Sequence, residues 1–227
     1  MTITFYTNPN SRGRIVCWML EEIGCAYDTV VLNYQRSSEG DPWGGAALER
    51  PQPEDDERNS FFNELNPIGK VPAIVHEGRV ISESAAICTY LAEAFPEAQL
   101  SPTSQERADY YRWMFFTAGP VEQAVTNLRA GFTPTTEQEF FLGYGNYERT
   151  VAQLERAVSA RPYVAGERFT AADVYVGSHV GWGLGLQTLP NRQAFVDYAQ
   201  KLMTRPAYQR AVAKDNQLLG ASSGTSG

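Results

Sequence analysis

Two stretches of this 227-residue sequence combine residue types and spacing suited to holding a small polar ligand. The first is Asn10-Ser11, which closes the turn Thr7-Asn8-Pro9-Asn10 and opens an apolar-periodic helix. A hydroxyl or a side-chain amide there is a short hydrogen-bond donor. The first turn of a helix adds unpaired N–H groups and the positive end of its dipole, so an anion against this turn is stabilised. The second stretch is NPIGKVPA at residues 66–73, followed by ISESAAICTYL at 81–91. A turn through Asn66-Pro67 and Gly69 leads to Lys70, and Val71-Pro72 opens a β-branched run. Pro72 has no N–H for a ladder and belongs at the first position or edge of a strand. A cis bond there would turn the Val71 backbone toward a partner other than the sheet. Glu83-Ser84 then precede a helix with Ile87, Leu91, Ala94 and Phe95 on one face. The open N–H groups at its start, with Ser84 beside them, are a site for a carboxylate.

These residues need rigid elements to position them. Residues 2–6 are β-rich and 7–10 are a turn. From 12 to 24, Ile15, Val16, Met19, Leu20 and Ile23 fall at helical spacing, with Glu21 and Glu22 on the wet side and Gly24 as a C-terminal stop. Residues 29–32 read as a second strand, 71–75 and 79–81 as strands about a Glu77-Gly78 turn, and 85–95 as a helix. Together they predict a small α/β domain over residues 1–97. Residues 35–64 interrupt it. Their middle is rich in Pro, Gly and acid, with Glu54, Asp55, Asp56 and Glu57 in a row. Such a segment buries too little apolar area to offset ordering, so a mobile insertion is expected. It is either solvated decoration or a lid with Trp43 reaching over a substrate, and deleting residues 41–59 would separate the two through substrate affinity.

After Pro96 and the linker LSPTS at 100–104 the pattern is helical over 104–217. Residues 108–130 carry Tyr110, Tyr111, Trp113, Met114, Phe115, Phe116 and Val121. Residues 138–160 place Phe140, Tyr144, Tyr147, Val151, Leu154 and Val158 at alternating four and three spacing. Residues 171–186 are apolar on nearly every side, which predicts a buried central helix, and Thr170 with Asp173 forms a capping signal assigned to folding. Residues 193–203 and 207–214 complete this half, and 218–227 are expected to be a flexible tail. Tyr111 and Phe115, four apart, share one helix face and are candidates for lining a pocket, while the other aromatic face must be core.

Composition removes several functions. A net charge of -7 and a pI near 5.0 argue against non-specific binding to nucleic acid or an anionic membrane. No stretch is long and apolar enough to span a bilayer, and MTITFYTN lacks the basic and apolar regions of a signal peptide. The three cysteines, Cys17, Cys25 and Cys88, have no CxxC spacing, which points to a reducing cytoplasm rather than a disulfide framework. His76 and His179 are isolated, so no metal site is expected.

The succession of NPIGKVPA, the Glu83-Ser84 pair and a strand–turn–helix opening resembles the cytosolic glutathione transferases, over residues 1–217. SRGRIVCWMLEEIG resembles the bacterial, serine-type branches, and RPAY at 205–208 resembles the family's ending. The resemblance implies an α/β thioredoxin-like N-terminal domain and an all-α C-terminal helical domain. It implies glutathione as co-substrate with no cofactor, a small apolar electrophile as second substrate, and a homodimer. It assigns the cysteinyl unit of glutathione to the Val71 backbone, the γ-glutamyl end to Glu83 and Ser84, and the glycyl carboxylate to Lys70.

Glutathione attacks through its thiolate, and a free thiol with a pKa near 8.5 is mostly protonated at neutral pH. Each unit of depression requires about 1.36 kcal/mol of preference for the anion, which a donated hydrogen bond and a helix start can supply. Ser11 is the first candidate donor. Counting back from Arg14, several serine-type members place the hydroxyl at Asn10, while members that use an Asn amide place it at Ser11, so Asn10 competes. Either residue could instead be only a helix cap. Tyr6 reads as strand packing, and Cys17, inside the helix among apolar neighbours, as core. That placement weakens a thiol-transferase reading, because a disulfide exchanger wants an exposed cysteine at the helix start. Two rivals stay open: a non-catalytic glutathione-binding or scaffolding member of the fold, and a glutathione-dependent disulfide reductase or peroxidase.

Overall fold

The computed structural model of the protein describes residues 2–32 and 57–223. Most of the expected insertion, including Trp43 and the acids from Glu54 to Asp56, lies outside the described residues. The chain divides into two compact units: Met1–Leu91 with Pro206–Gly227, and Ala92–Arg205. The sequence boundaries of 1–97 and 104–217 instead put the last helix with the helical half.

In the first unit β1 (Ile3–Thr7), α1 (Gly13–Ile23) and β2 (Tyr27–Val31) are followed by α2 (Glu57–Leu65), the hairpin β3 (Ala73–His76) and β4 (Arg79–Ser82), and α3 (Ser84–Ala94). The sheet order is β2-β1-β3-β4, with β1 parallel to β2 and antiparallel to β3, and β3 antiparallel to β4. Gly24 ends α1 as its sequence position suggests: at φ 67° its N–H bonds the Leu20 carbonyl at 3.0 Å, a conformation glycine adopts without steric penalty. Tyr6 is buried, as expected of strand packing. Residues 57–64, expected within the insertion, are helical instead. Phe62 of α2 is fully buried against the Tyr6 ring, centroids 5.4 Å apart, and joins Leu32 and Ala73 in one cluster. One buried aromatic in a polar stretch leaves no periodicity to read.

The last helix, α9 (Pro206–Ser223), belongs to this unit and packs along α1. It runs to Ser223, so the start of the expected tail is helical. Trp18 meets Tyr208 edge-on at 5.0 Å. Glu21, expected on the wet side of α1, is buried beneath α9. Its carboxylate accepts hydrogen bonds from Arg210 Nε at 3.0 Å, Tyr27 Oη at 2.8 Å and Lys214 Nζ. Burial pushes this carboxyl up, but the bonds from Lys214, Tyr27 and Arg210 outweigh it and hold the group below its ordinary value.

The second unit is helical. The expected single helix over 108–130 is three pieces: α4 (Arg107–Phe116), a π-helical turn at Thr117–Val121, and α5 (Glu122–Arg129). Pro120 lies in the π turn, where it has no N–H to place in an i→i−4 ladder. The expected helix over 138–160 shortens to α6 (Tyr147–Ala160). Asn146 caps it, its Oδ1 accepting the Arg149 N–H at 2.9 Å, and Gly145 at φ 66° turns the chain just before. Phe140 and Tyr144 therefore extend the helical spacing without being in the helix. Helix α7 (Ala171–Gly185) is buried along most of its length and opens with the predicted Thr170–Asp173 capping box. Helix α8 spans Gln193–Met203, as read from the sequence. No helix among the described residues is long and apolar enough to cross a membrane.

Candidate active site

The register of the sheet gathers the candidate residues of the first unit. Tyr6 pairs with Ala73 and Ala73 with Ser82, so the C-terminal end of β1, the N-terminal end of β3 and the C-terminal end of β4 coincide. The Asn8–Ser11 turn leaves β1 at that end. Val71 precedes Ala73 by two residues and Ser84 follows Ser82 by two. Asn10, Ser11, Lys70, Val71, Glu83 and Ser84 thus converge on one end of the sheet, from three separate stretches of sequence.

The turn is built by Asn8, a residue the sequence reading did not single out. Asn8 Oδ1 accepts the Asn10 N–H at 2.9 Å, Asn8 Nδ2 donates to the Leu32 carbonyl at 2.9 Å, and the Asn8 carbonyl accepts both Ser11 N–H at 3.0 Å and Ser11 Oγ–H at 2.6 Å. Its Asn-Pro context signals such a self-bonded turn. Ser11 Oγ also accepts the Gly13 N–H at 3.0 Å, so the hydroxyl closes the turn into α1, which begins two residues after Ser11. The Asn10 side chain is exposed and its amide makes no hydrogen bond among the described residues. Beneath the turn, Thr7 Oγ1 is buried without a hydrogen bond, pressed against Gly13. Arg14 reaches back from α1, its Nε donating to the Pro9 carbonyl at 2.6 Å.

On the facing stretch Val71–Pro72 is a cis peptide bond. Strand β3 begins only at Ala73, so the Val71 N–H and C=O stay outside the ladder and have no partner among the described residues. Asn66 is buried and organises the approach, its Nδ2 donating to the Lys70 carbonyl at 2.8 Å and its carbonyl accepting the Gly69 N–H at 2.8 Å. The Lys70 side chain is exposed. Ser84 is buried as the first residue of α3, and Glu83 just before it is exposed. Glu83 holds φ at 67°, a left-handed conformation uncommon for a residue with a side chain.

Cys17 is buried, and its thiol is pushed up to about 12, chiefly by burial and next by the Asp215 carboxylate, so it is no nucleophile. In the second unit, Tyr110, Trp113 and Met114 turn into the core. Tyr111 is half-buried and Phe115 is 73% exposed, their ring centroids 6.4 Å apart on the same face of α4.

Known proteins share this fold. Residues 12–94 match the family described as glutathione S-transferase, N-terminal domain. The chain is 30% identical over 174 residues to glutathione S-transferase GstA of Escherichia coli O157:H7, covering 70% of this chain and 80% of that one. A crystal structure of the theta class glutathione S-transferase from the citrus canker pathogen Xanthomonas axonopodis pv. citri, with glutathione bound, is similar at 29% identity and a TM-score of 0.66, covering 92% of this chain and 96% of that one. A glutathione transferase from Methylococcus capsulatus str. Bath has the same fold at 22% identity, with a TM-score of 0.69 over 95% of this chain and 99% of its own. The four-stranded mixed sheet with its helices and the helical second unit are the thioredoxin-like and all-α parts of that fold.

Proposed function

Because the chain belongs to the glutathione S-transferase family, we propose that it binds glutathione at the sheet end described above and activates its thiol against a small apolar electrophile. What carries the reading is the convergence there of an unpaired Val71 backbone, the start of α3 at Ser84 and the donor turn at Asn10-Ser11. The cysteinyl backbone of glutathione pairs with Val71 as an extra strand-like partner. Its γ-glutamyl carboxylate takes the open N–H groups and hydroxyl at Ser84, its γ-glutamyl ammonium meets Glu83, and the glycyl carboxylate lies toward Lys70.

The sulfur then lies by the turn. Ser11 Oγ–H is bonded to the Asn8 carbonyl, so it donates to sulfur only by releasing that carbonyl. The Asn10 amide makes no such bond and is the readier donor. With the thiolate formed, its electron pair makes a C–S bond to the electrophile. Either a leaving group departs with its bonding pair, or the pair shifts within the acceptor and is protonated. Tyr111 and Phe115 share an aromatic face of α4 and are our candidates to contact an apolar electrophile. By family resemblance the protein acts as a homodimer in the cytoplasm.

The test is a pH titration of the ultraviolet thiolate absorbance of glutathione with stoichiometric protein. The expected result is a band that forms well below the free thiol's pKa, with Asn10→Ala raising that pKa more than Ser11→Ala. Saturable binding without the band would leave a glutathione-binding protein that does not activate the thiol. No binding would remove the assignment of all six residues.

A further inference from the structure

The donor turn is tied to the far end of the chain. Arg14 Nε donates to the Pro9 carbonyl at 2.6 Å, at the residue before Asn10. The guanidinium's other end points to α9, where its NH2 donates to Asn216 Oδ1 at 3.3 Å. Beside Asn216 lies Asp215, 2% exposed, with Oδ1 bearing no hydrogen bond. A buried carboxylate oxygen left unbonded is uncommon and calls for an explanation. Burial pushes the Asp215 carboxyl up to about 6, while the Arg14 guanidinium and the Cys17 thiol pull it back, so both groups of α1 face it. Glu21, Tyr27, Arg210 and Lys214 form a neighbouring cluster, bonded to one another, whose Tyr27 Oη lies 3.9 Å from Cys17 Sγ and which makes no bond to Arg14 among the described residues. Asn216 therefore bonds Arg14, the buried Asp215 carboxylate attracts it, and Arg14 bonds the turn.

Resting on the function proposed above, we propose that Asp215 and Asn216 are positioning residues for the thiol-activating turn, acting through Arg14 on the Pro9 carbonyl. A long arginine side chain samples many rotamers when unheld. With the Asn216 amide bonded to its far end and the Asp215 carboxylate attracting it, Nε stays on Pro9 and the Asn10-Ser11 donors stay in one place. Small losses of such placement lower the effect of a donor steeply.

The sign of the effect separates positioning from bare charge. Removing the negative charge of Asp215 would, by electrostatics alone, favour the thiolate and lower the glutathione thiol pKa. Loosening Arg14 raises it. Asn216→Ala changes no charge and alters an exposed residue, so it retains the fold while testing the tether. Both Asn216→Ala and Asp215→Asn are expected to raise the bound thiol pKa by about half a unit to one unit. Turnover at pH 6.5 should fall about threefold to tenfold, with KM for glutathione within about twofold. Arg210→Ala, which breaks a bond of α9 to Glu21 and none to Arg14, should lower thermal stability and leave the pH profile in place. Profiles of both α9 variants that superimpose on wild type would overturn the inference while the function stands. So would a fall in the pKa of Asp215→Asn, or an equal shift in Arg210→Ala. Absence of the thiolate band in the wild-type protein would remove the function and this inference together.

Discussion

Glu83 keeps a left-handed backbone at φ 67°, a conformation that costs a residue with a Cβ about 1–2 kcal/mol. A glycine would accept that torsion freely but would have more freedom to lose on folding. Glu83→Gly is therefore expected to leave unfolding free energy within about 1 kcal/mol of wild type. Glutathione affinity, measured by titration calorimetry, should fall about tenfold or more through the lost charged bond. Unchanged affinity would free Glu83 from the site. Gly13 poses the opposite case, since its torsion is ordinary and space decides. A Cβ there would stand 1.9 Å from Thr7 Oγ1 and 3.1 Å from Ser11 Oγ. Alanine normally gains about 1 kcal/mol over glycine inside a helix. Here the buried, β-branched Thr7 cannot swing away easily. Gly13→Ala should destabilise by about 1–3 kcal/mol in denaturant unfolding, and adding Thr7→Ala should recover most of it. A stabilised single variant would show that the contact yields.

Among the elements, α7 carries the clearest energetic prediction. Asp173 Oδ1 accepts the Val164 N–H at 2.9 Å and Tyr198 Oη–H at 2.8 Å, while Oδ2 accepts the Thr170 N–H at 2.9 Å. The Thr170 hydroxyl also donates to Oδ2, at 3.0 Å. Asp173→Ala therefore strands four buried donors and should cost at least about 3 kcal/mol in denaturant unfolding, against about 1 kcal/mol for Tyr198→Phe. A loss no larger than that of Tyr198→Phe would mean that other groups take up those donors. This cap was legible in the sequence because Thr170 and Asp173 have the spacing of a reciprocal box. So was α1, whose apolar residues repeat at a helical period and stop at a glycine. The π turn was not, because Pro120 breaks the ladder while the flanking apolar residues keep an unbroken helical rhythm. Neither was the true start of α6, because Tyr144 is buried at a helix-compatible spacing without being helical. At the sheet end, the placement of Ser84 at the start of α3 and of Val71 just outside the ladder was legible from turn, proline and helix-start chemistry. Asn8 and Asp215 were not. One acts through three local bonds that any loop asparagine could make and a fourth to Leu32, 24 positions on; the other acts on residues about two hundred positions away.

For the molecule as a whole, Asp215 gives the acid–base balance a direction. Its carboxyl is raised from 3.8 to about 6 in the folded state, so folded protein binds the proton more tightly than unfolded chain. The stability contributed by this one group therefore falls as pH rises from about 4 to about 6, and its full loss, on the order of 3 kcal/mol, persists above that window. Asp215→Asn should unfold at a higher temperature than wild type at pH 7.5, and the gap should close as the pH approaches 4. Parallel melting curves across that range would show that Asp215 is well solvated or better paired. Such a variant would be more stable and less active, which is the trade expected of a group kept for a site. The return of α9 to the first unit also sets a timetable. Residues 95–205 lie between α3 and the helix that covers Trp18, Cys17 and Glu21. At ordinary rates of synthesis, that interval keeps the outer face of α1 uncovered for on the order of ten seconds after the sheet has emerged. The unit begun first is completed only after the second has been made, and the newborn chain must shield an apolar helix face until α9 leaves the ribosome.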